Sequence, residues 1–195
     1  MLKDHYLEGE ARFGPFMSFL YAIGSALPFP RVIYKIARDD IMRTNPRSVL
    51  DVGCGPGDLL VMLSKAGCAN LYGIDPSPDM IRAAKRKAHG RAIRFGIGSS
   101  REVPFGRKFG MIVSTLSFHH WAKRDEALRY LSRFLEGRGT IRIYELEHRG
   151  GIAAHMPWST HTISEAALRR SARAAGLKVV SIGRRAGVIF AVISR

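Results

Sequence analysis

Ser48-Val49-Leu50-Asp51-Val52-Gly53-Cys54-Gly55-Pro56-Gly57-Asp58 is an apolar run that ends in an acid and three alternating glycines. It predicts a buried strand over 48–52, a loop whose backbone comes close to a ligand, and a helix entered near Asp58. Glycine at 53, 55 and 57 strips the β-carbons from the face of that turn. A ligand can then lie on bare backbone at a helix N-terminus, where free N–H groups and the positive dipole end favour a carboxylate or phosphate. A second landmark follows. Leu71-Tyr72-Gly73-Ile74-Asp75 reads as a strand ending in an acid, and Pro76-Ser77-Pro78-Asp79-Met80 as a turn and helix start. An acid at the tip of the second strand can accept both hydroxyls of a ribose. Alternatively Asp75 caps the next helix, a task open to Ser77 or Asp79 as well.

Spacing separates the cofactors that use such a loop. A dinucleotide fingerprint needs G-x-G-x-x-G. Here the pattern is Asp-x-Gly-x-Gly-x-Gly, with Pro56 stiffening the turn, and it resembles the first motif of the class I S-adenosylmethionine-dependent methyltransferases. Beyond the loop the chain alternates: a helix to Lys65 stopped by Gly67, a strand over 71–74, a helix over 78–89 and a strand over 92–97. Another strand starts at Phe109, and a helix over 125–136 leads to a strand over 140–144. Such alternation implies parallel strands with right-handed crossovers and helices on both faces of an α/β sheet. A helix over 164–175 then precedes two strands, 177–182 and 188–193, that only Gly183-Arg184-Arg185-Ala186-Gly187 separates. A parallel crossover needs a dozen or more residues, so these two strands form an antiparallel hairpin. One reversed strand at the end matches the family's signature. The resemblance, which covers 48–195, implies a Rossmann-like seven-stranded sheet of order 3-2-1-4-5-7-6 with strand 7 antiparallel.

The resemblance also implies S-adenosyl-L-methionine as the cofactor, and roles for particular residues. Asp51 with Gly53, Cys54, Gly55, Pro56 and Gly57 would orient the methionine end, Asp75 and Pro76 the ribose, and Met80 would pack on the adenine. Gly98-Ser99-Ser100-Arg101-Glu102-Val103-Pro104-Phe105 resembles the family's Gly-Asp-Ala-x-x-Leu-Pro-Phe, with Ser99 where an acid or amide usually holds the adenine amine. A hydroxyl can still make one such bond, and backbone groups of Ser99 and Ser100 can supply the rest. Thr115 and Leu116 fall at the carboxyl end of the fourth strand, where open α/β sheets bind ligands. Methyl transfer to a neutral nucleophile needs alignment and removal of a proton. His119 and His120, just after that strand, are the catalytic candidates; Glu145, Glu147, His148 and His155 are further possible bases.

The 195 residues, 46% apolar and 24% charged, suit one domain, with cap helices in 1–45 (15–27 and 31–42) and a catalytic core in 46–195. Phe13, Phe16, Phe19 and Tyr21 would line a substrate pocket or pack on the sheet. The connection 146–162, with His155, Trp158 and His161, would form part of the substrate mouth. The charge-free stretch 14–30 is too short for a span of ~20 residues and contains Gly24, Pro28 and Pro30, so no integral membrane segment is expected. Cys54, Cys68 and the scattered histidines lack metal-ligand spacing, which points to reduced thiols, no metal and a cytoplasmic protein. Net charge is +15, and Arg82, Lys85, Arg86, Lys87 and Arg91 form the densest basic cluster, either a solvated face or a contact for RNA. No Asp/Asn-Pro-Pro-aromatic tetrapeptide or Pro-Cys nucleophile occurs, so the acceptor expected is a small or lipid-like molecule. The alternatives are RNA or a ribosomal target, and a non-catalytic regulatory protein that binds the cofactor. Oligomeric state is not legible in the sequence.

Overall fold

The structure, a computed structural model, describes residues 28–147 and 162–195. The expected helix over 15–27, the aromatic residues Phe13 to Tyr21, and His148, His155, Trp158 and His161 lie outside the described residues. Helix α1 (Pro28–Thr44) is longer than the 31–42 expected. Pro28 and Pro30 fall in its first turn, where a missing N–H costs no helical bond. Asn45 ends it in the left-handed region (φ 46°), its N–H bonded to the carbonyls of Ile41 and Met42.

The chain then alternates through β1 (Val49–Val52), α2 (Asp58–Lys65), β2 (Leu71–Asp75), α3 (Pro78–Lys87), β3 (Ile93–Ile97) and β4 (Phe109–Thr115). Helix α4 (Arg124–Ser132) and β5 (Leu135–Glu147) follow, then β6 (Thr162–Ile163), α5 (Glu165–Ala174), β7 (Lys178–Arg185) and β8 (Val188–Ser194). The sheet order is β3-β2-β1-β4-β5-β8-β7, with two-residue β6 paired to β5 off that path. Strands β1 to β5 are mutually parallel, and β8 runs antiparallel to both β5 and β7. With β6 set aside, this is the order the sequence implied.

The junction of α4 and β5 is corrected. The helix expected over 125–136 stops at Ser132, and the fifth strand starts at Leu135 rather than 140. Leu135 is fully buried and pairs with Phe109, so burial in the sheet outcompetes its helical periodicity.

Both faces of the sheet are covered, which is why its strands read as apolar runs. Leu50, Val52, Phe109, Ile141 and Ile143 meet α4 and α5 through Leu128, Leu131 and Leu168. Val49, Leu71, Met111 and Tyr144 meet α1 and α2 through Ile33, Ile41, Leu59 and Leu63. Alternate residues of one strand thus serve opposite layers. Among the described residues no helix is long and apolar enough to cross a membrane.

Polar contacts fasten α1 to β5. Arg142 reaches the Asp40 carboxylate and donates to Thr44 Oγ1 at 2.8 Å, while the Tyr144 hydroxyl donates to Asp40. Burial pushes the Asp40 carboxyl up, but the Tyr144 hydroxyl and the Arg142 guanidinium outweigh it and hold Asp40 below its ordinary value. A depressed carboxyl contributes stability above its unfolded value and loses it as pH falls through the folded one. Asp40→Asn should therefore cost on the order of 2 kcal/mol at neutral pH, with a gap from wild type that narrows below about pH 4. Urea denaturation at pH 7 and pH 3 checks this.

Candidate active site

The glycine loop, the tip of β2 and the end of β4 meet at the carboxyl edge of the sheet. The loop is held down on β2, because the N–H groups of Gly53 and Cys54 both donate to the Ile74 carbonyl, at 2.8 and 2.9 Å. Two of its glycines are needed for different reasons. At Gly53 (φ +75°) a β-carbon would lie 1.9 Å from Ser117 Oγ, so the segment after β4 can approach only a bare backbone. At Gly55 (φ +51°) a β-carbon would meet nothing within 4 Å, which marks the open face of the loop. Helix α2 then begins at Gly57 without a side-chain cap, leaving its first N–H groups to other partners. Cys54 and Pro56 are buried beneath the loop. Burial, with the charges of Asp75 and Asp51, pushes the Cys54 thiol well up, so it packs as a neutral group.

Two carboxylates line this edge. Asp75 accepts the Gly55 N–H at Oδ2 and the Ser77 N–H at Oδ1, each at 2.9 Å. The cap of α3 is Ser77, whose Oγ accepts the Met80 N–H at 3.4 Å, so the capping role considered for Asp75 belongs to its neighbour. Asp51 is 2% exposed and its Oδ1 has no hydrogen-bond partner. Burial, and then the charge of Asp75, pushes the Asp51 carboxyl up to about 8. Pro76 is half-buried beside them and Met80 is buried.

Ser99 and Ser100 are buried after β3. Ser99 N–H donates to the Glu102 carbonyl at 2.9 Å, its carbonyl accepts from Glu102 N–H at 3.2 Å, and its Oγ accepts from Arg101 N–H at 3.2 Å. The turn thus uses the Ser99 N–H within the protein, and the hydroxyl hydrogen is the donor that Ser99 brings to the site. Thr115 is buried with its Oγ1 unpartnered. Leu116 turns the chain at a left-handed φ of 55°, and its N–H is used on the Tyr144 carbonyl at 3.0 Å. Such a conformation in a branched apolar residue is strained and marks the site edge.

Beyond Ser117 a single 3₁₀ turn (Phe118–His120) carries both candidate histidines. Their ring centroids are 3.9 Å apart. His119 Nδ1 lies 2.8 Å from Glu145 Oε2, and His119 N–H donates to Glu145 Oε1 at 3.2 Å. Glu145 is fully buried, and the His119 side chain is 4% exposed. Arg124 fixes the turn from α4 by donating to the carbonyls of Phe118 and His119, at 3.2 and 2.8 Å. Sequence reasoning named Glu145 as a possible base but missed that it is the partner of His119. Glu147 is committed elsewhere, to Arg184 of β7.

Residues 49–139 match the family model described as a methyltransferase domain. Demethylmenaquinone methyltransferases are among the curated relatives. That of Thermotoga maritima is 32% identical over 108 residues, 54% of this chain and 46% of the relative. That of Thermus thermophilus is 32% identical over 113 residues, 56% and 51% respectively. The chain thus spans about half the length of these relatives. Among solved structures, a SAM dependent methyltransferase from Aquifex aeolicus superposes with a TM-score of 0.75 at 20% identity, covering 93% of this chain and 98% of that one. An O-methyltransferase from neocarzinostatin biosynthesis, in complex with S-adenosyl-L-homocysteine and 1,4-dihydroxy-2-naphthoic acid, gives 0.72 at 22% identity, covering 92% and 58%. At these identities the likeness is one of fold.

Asp51 generates a prediction in ligand-free protein. Its folded value of about 8 lies above the ordinary aspartate value, so the folded state binds the extra proton and loses stability as pH rises between about 4 and 8. Asp51→Asn should flatten stability across that window. Denaturant midpoints at pH 5 and pH 8 that move equally in both proteins would refute it.

Proposed function

We propose that this chain, which carries a class I S-adenosylmethionine-dependent methyltransferase domain, transfers a methyl group from S-adenosyl-L-methionine to a small-molecule or lipid-like acceptor. One observation carries the choice of cofactor: the buried, unpartnered Asp51 carboxyl oxygen beside the Asp75 carboxylate, under a loop with open space above Gly55. Two acids at this edge repel the pyrophosphate of a dinucleotide. They attract a ligand that brings an ammonium and a sulfonium.

On this reading the residues fit the group. Asp51, Gly53, Cys54, Gly55, Pro56 and Gly57 hold its amino-acid end. Asp75, held at the tip of β2 by the N–H groups of Gly55 and Ser77, meets the ribose hydroxyls, with Pro76 shaping the turn. Met80 and the hydroxyl of Ser99 meet the adenine with Ser100, and Thr115 and Leu116 border the reacting end. His119 and His120 serve proton removal. Helix α1 caps this core within one domain, and the protein works in the cytoplasm. When bound, the cofactor supplies an activated methyl on sulfur, so the chain's task is alignment and proton transfer rather than covalent catalysis.

The demethylmenaquinone methyltransferases among the relatives support a small or lipid-like acceptor. Charge compensation supports it as well: in the basic helix Arg82 pairs with Asp79 and Lys87 with Asp58, which leaves fewer cations for a phosphate backbone.

Calorimetry with S-adenosylmethionine, S-adenosylhomocysteine and NAD tests the cofactor. Both sulfur ligands should bind and NAD should not; tight NAD binding with no response to the others sinks the proposal. Gly55→Val should weaken binding about a hundredfold, near 2.8 kcal/mol, by filling the open face. Asp75→Asn should weaken it as well, because an amide can accept only one of the two N–H groups that the carboxylate holds and turns its own NH2 toward the other. Radiolabel passed from the cofactor to nuclease-treated, protease-treated and lipid fractions of cell extract then locates the acceptor class, and label found only in RNA overturns the small-acceptor reading.

A further inference from the structure

We propose that the amino edge of the sheet, at the end of β2 opposite the glycine loop, holds a second binding site: Arg94, Arg107 and the Tyr72 hydroxyl take the phosphate of a small phosphate monoester, and the cavity beside them takes its uncharged body. The proposal is independent of the methyl-transfer reading.

The site starts from the way the chain crosses between β3 and β4. Residues 98–108 make that crossover without a helix. Tyr72, near the start of β2, is nonetheless only 3% exposed. Phe105 and Phe109 meet its ring edge-on, with centroids 5.1 and 5.2 Å away. Two guanidiniums lie over the same ring, Arg107 at 5.0 Å and Arg94 at 5.6 Å from its centroid. The register Tyr72↔Arg94 brings one from β3, and the crossover brings the other just before β4.

Covering a ring calls for the aliphatic stems of arginine and not for two charges at one point. Here both guanidiniums donate to one neutral oxygen, the Tyr72 hydroxyl, from Arg107 Nη1 at 2.7 Å and from Arg94 Nη1 at 3.3 Å. That oxygen accepts from both, and among the described residues its own hydrogen finds no acceptor. Arg107 Nε donates to the Lys108 carbonyl at 3.2 Å, but neither guanidinium is paired with a carboxylate among the described residues. Three donors therefore converge on one place with no anion to receive them. Like charges held together repel, and a group carrying close to two negative charges at neutral pH relieves that cost while accepting from both forks.

A cavity of about 460 Å³ adjoins these donors, between the end of α2 and the starts of β2 and β3. That volume lies in the range of small-molecule sites. Ser64, Cys68, Asn70, Tyr72, Ile93 and Arg94 contribute to its wall, and no Asp or Glu does. Arg94 is the one charged residue lining it. The Ser64 hydroxyl is unbonded among the described residues, and Asn70 spends its Nδ2 on the Arg47 carbonyl at 3.0 Å, which leaves its amide oxygen as an acceptor. An anionic head with an uncharged, hydroxyl-bearing body matches such a lining. A nucleic acid needs a longer row of cations, and in α3 Arg82 and Lys87 are paired with Asp79 and Asp58. Tyr72 and Asp75 are three residues apart on β2, about 10 Å at the rise of a strand, so this ligand and one at the glycine loop occupy opposite ends of the sheet.

Calorimetry on the full chain with ribose 5-phosphate, inorganic phosphate, ribose and a single-stranded oligouridine tests the site. Ribose 5-phosphate should bind about tenfold more tightly than inorganic phosphate, and ribose should not bind. Arg94→Gln, Arg107→Gln and Tyr72→Phe should each weaken ribose 5-phosphate about tenfold, the loss of one donor to a charged acceptor, and leave the affinity for S-adenosylmethionine unchanged. Alkylation of Cys68, the half-buried thiol of the cavity wall, should slow about tenfold at saturating ribose 5-phosphate and keep its rate with S-adenosylmethionine. Absence of ribose 5-phosphate binding, or binding without protection of Cys68, overturns the proposal. Equal affinity for inorganic phosphate overturns the part given to the cavity, and binding of the oligouridine alone hands these arginines to a nucleic acid. If a variant does not fold, protection of Cys68 in the wild type decides alone.

Discussion

The carboxylate of Asp75 ties together the parts of the chain that make a site possible. It stands at the tip of β2 and takes one N–H from the glycine loop after β1 and another from the start of α3, each at 2.9 Å. These are charge-assisted bonds at a nearly buried position, the stronger class of hydrogen bond. They hold a left-handed, glycine-rich turn that has few side chains of its own to anchor it. The other tie of this loop to β2 among the described residues is the Ile74 carbonyl, which takes the N–H groups of Gly53 and Cys54.

Charge is partitioned unevenly across this molecule. The whole chain carries +15, yet the carboxyl edge of the sheet gathers Asp51, Asp75 and Glu145 with little exposure. Asp75 is compensated by backbone N–H groups and Glu145 by His119. Asp51 has no such partner on Oδ1, and burial, then the charge of Asp75, pushes its carboxyl up. A buried acid left unsatisfied costs stability, and its neighbourhood is where a cationic group gains most. The long-range positive field describes the protein's surface, whereas these few acids describe its ligand.

Legibility followed the range of the interactions involved. The glycine loop, the acid ending β2 and the terminal hairpin are encoded within a few residues, by spacing and by a connection too short for a crossover. The strand order followed from them. Other features depend on contacts distant in sequence. Leu135 belongs to a helix by periodicity and to β5 by its pairing with Phe109. The N–H of Ser99 is unavailable because Glu102 folds back onto it. His119 and Glu145 are 26 residues apart, and only the register Thr115↔Tyr144 between β4 and β5 makes them neighbours. A histidine after the fourth strand and a glutamate in the fifth were visible signals, but nothing local joined them.

That register gives β5 two tasks on opposite faces. Arg142 and Tyr144 point toward α1 and bind Asp40, while Ile141 and Ile143 face the layer of α4 and α5. Glu145, next in the alternation, turns to His119 on the latter side. A strand pinned through buried polar contacts on one face cannot slide without breaking them, and a slip of one residue would exchange the faces altogether. The staple to α1 therefore also holds the carboxylate that orients His119. Loss of Asp40 would be felt at the imidazole across the sheet through displacement of a strand, with no direct contact between them.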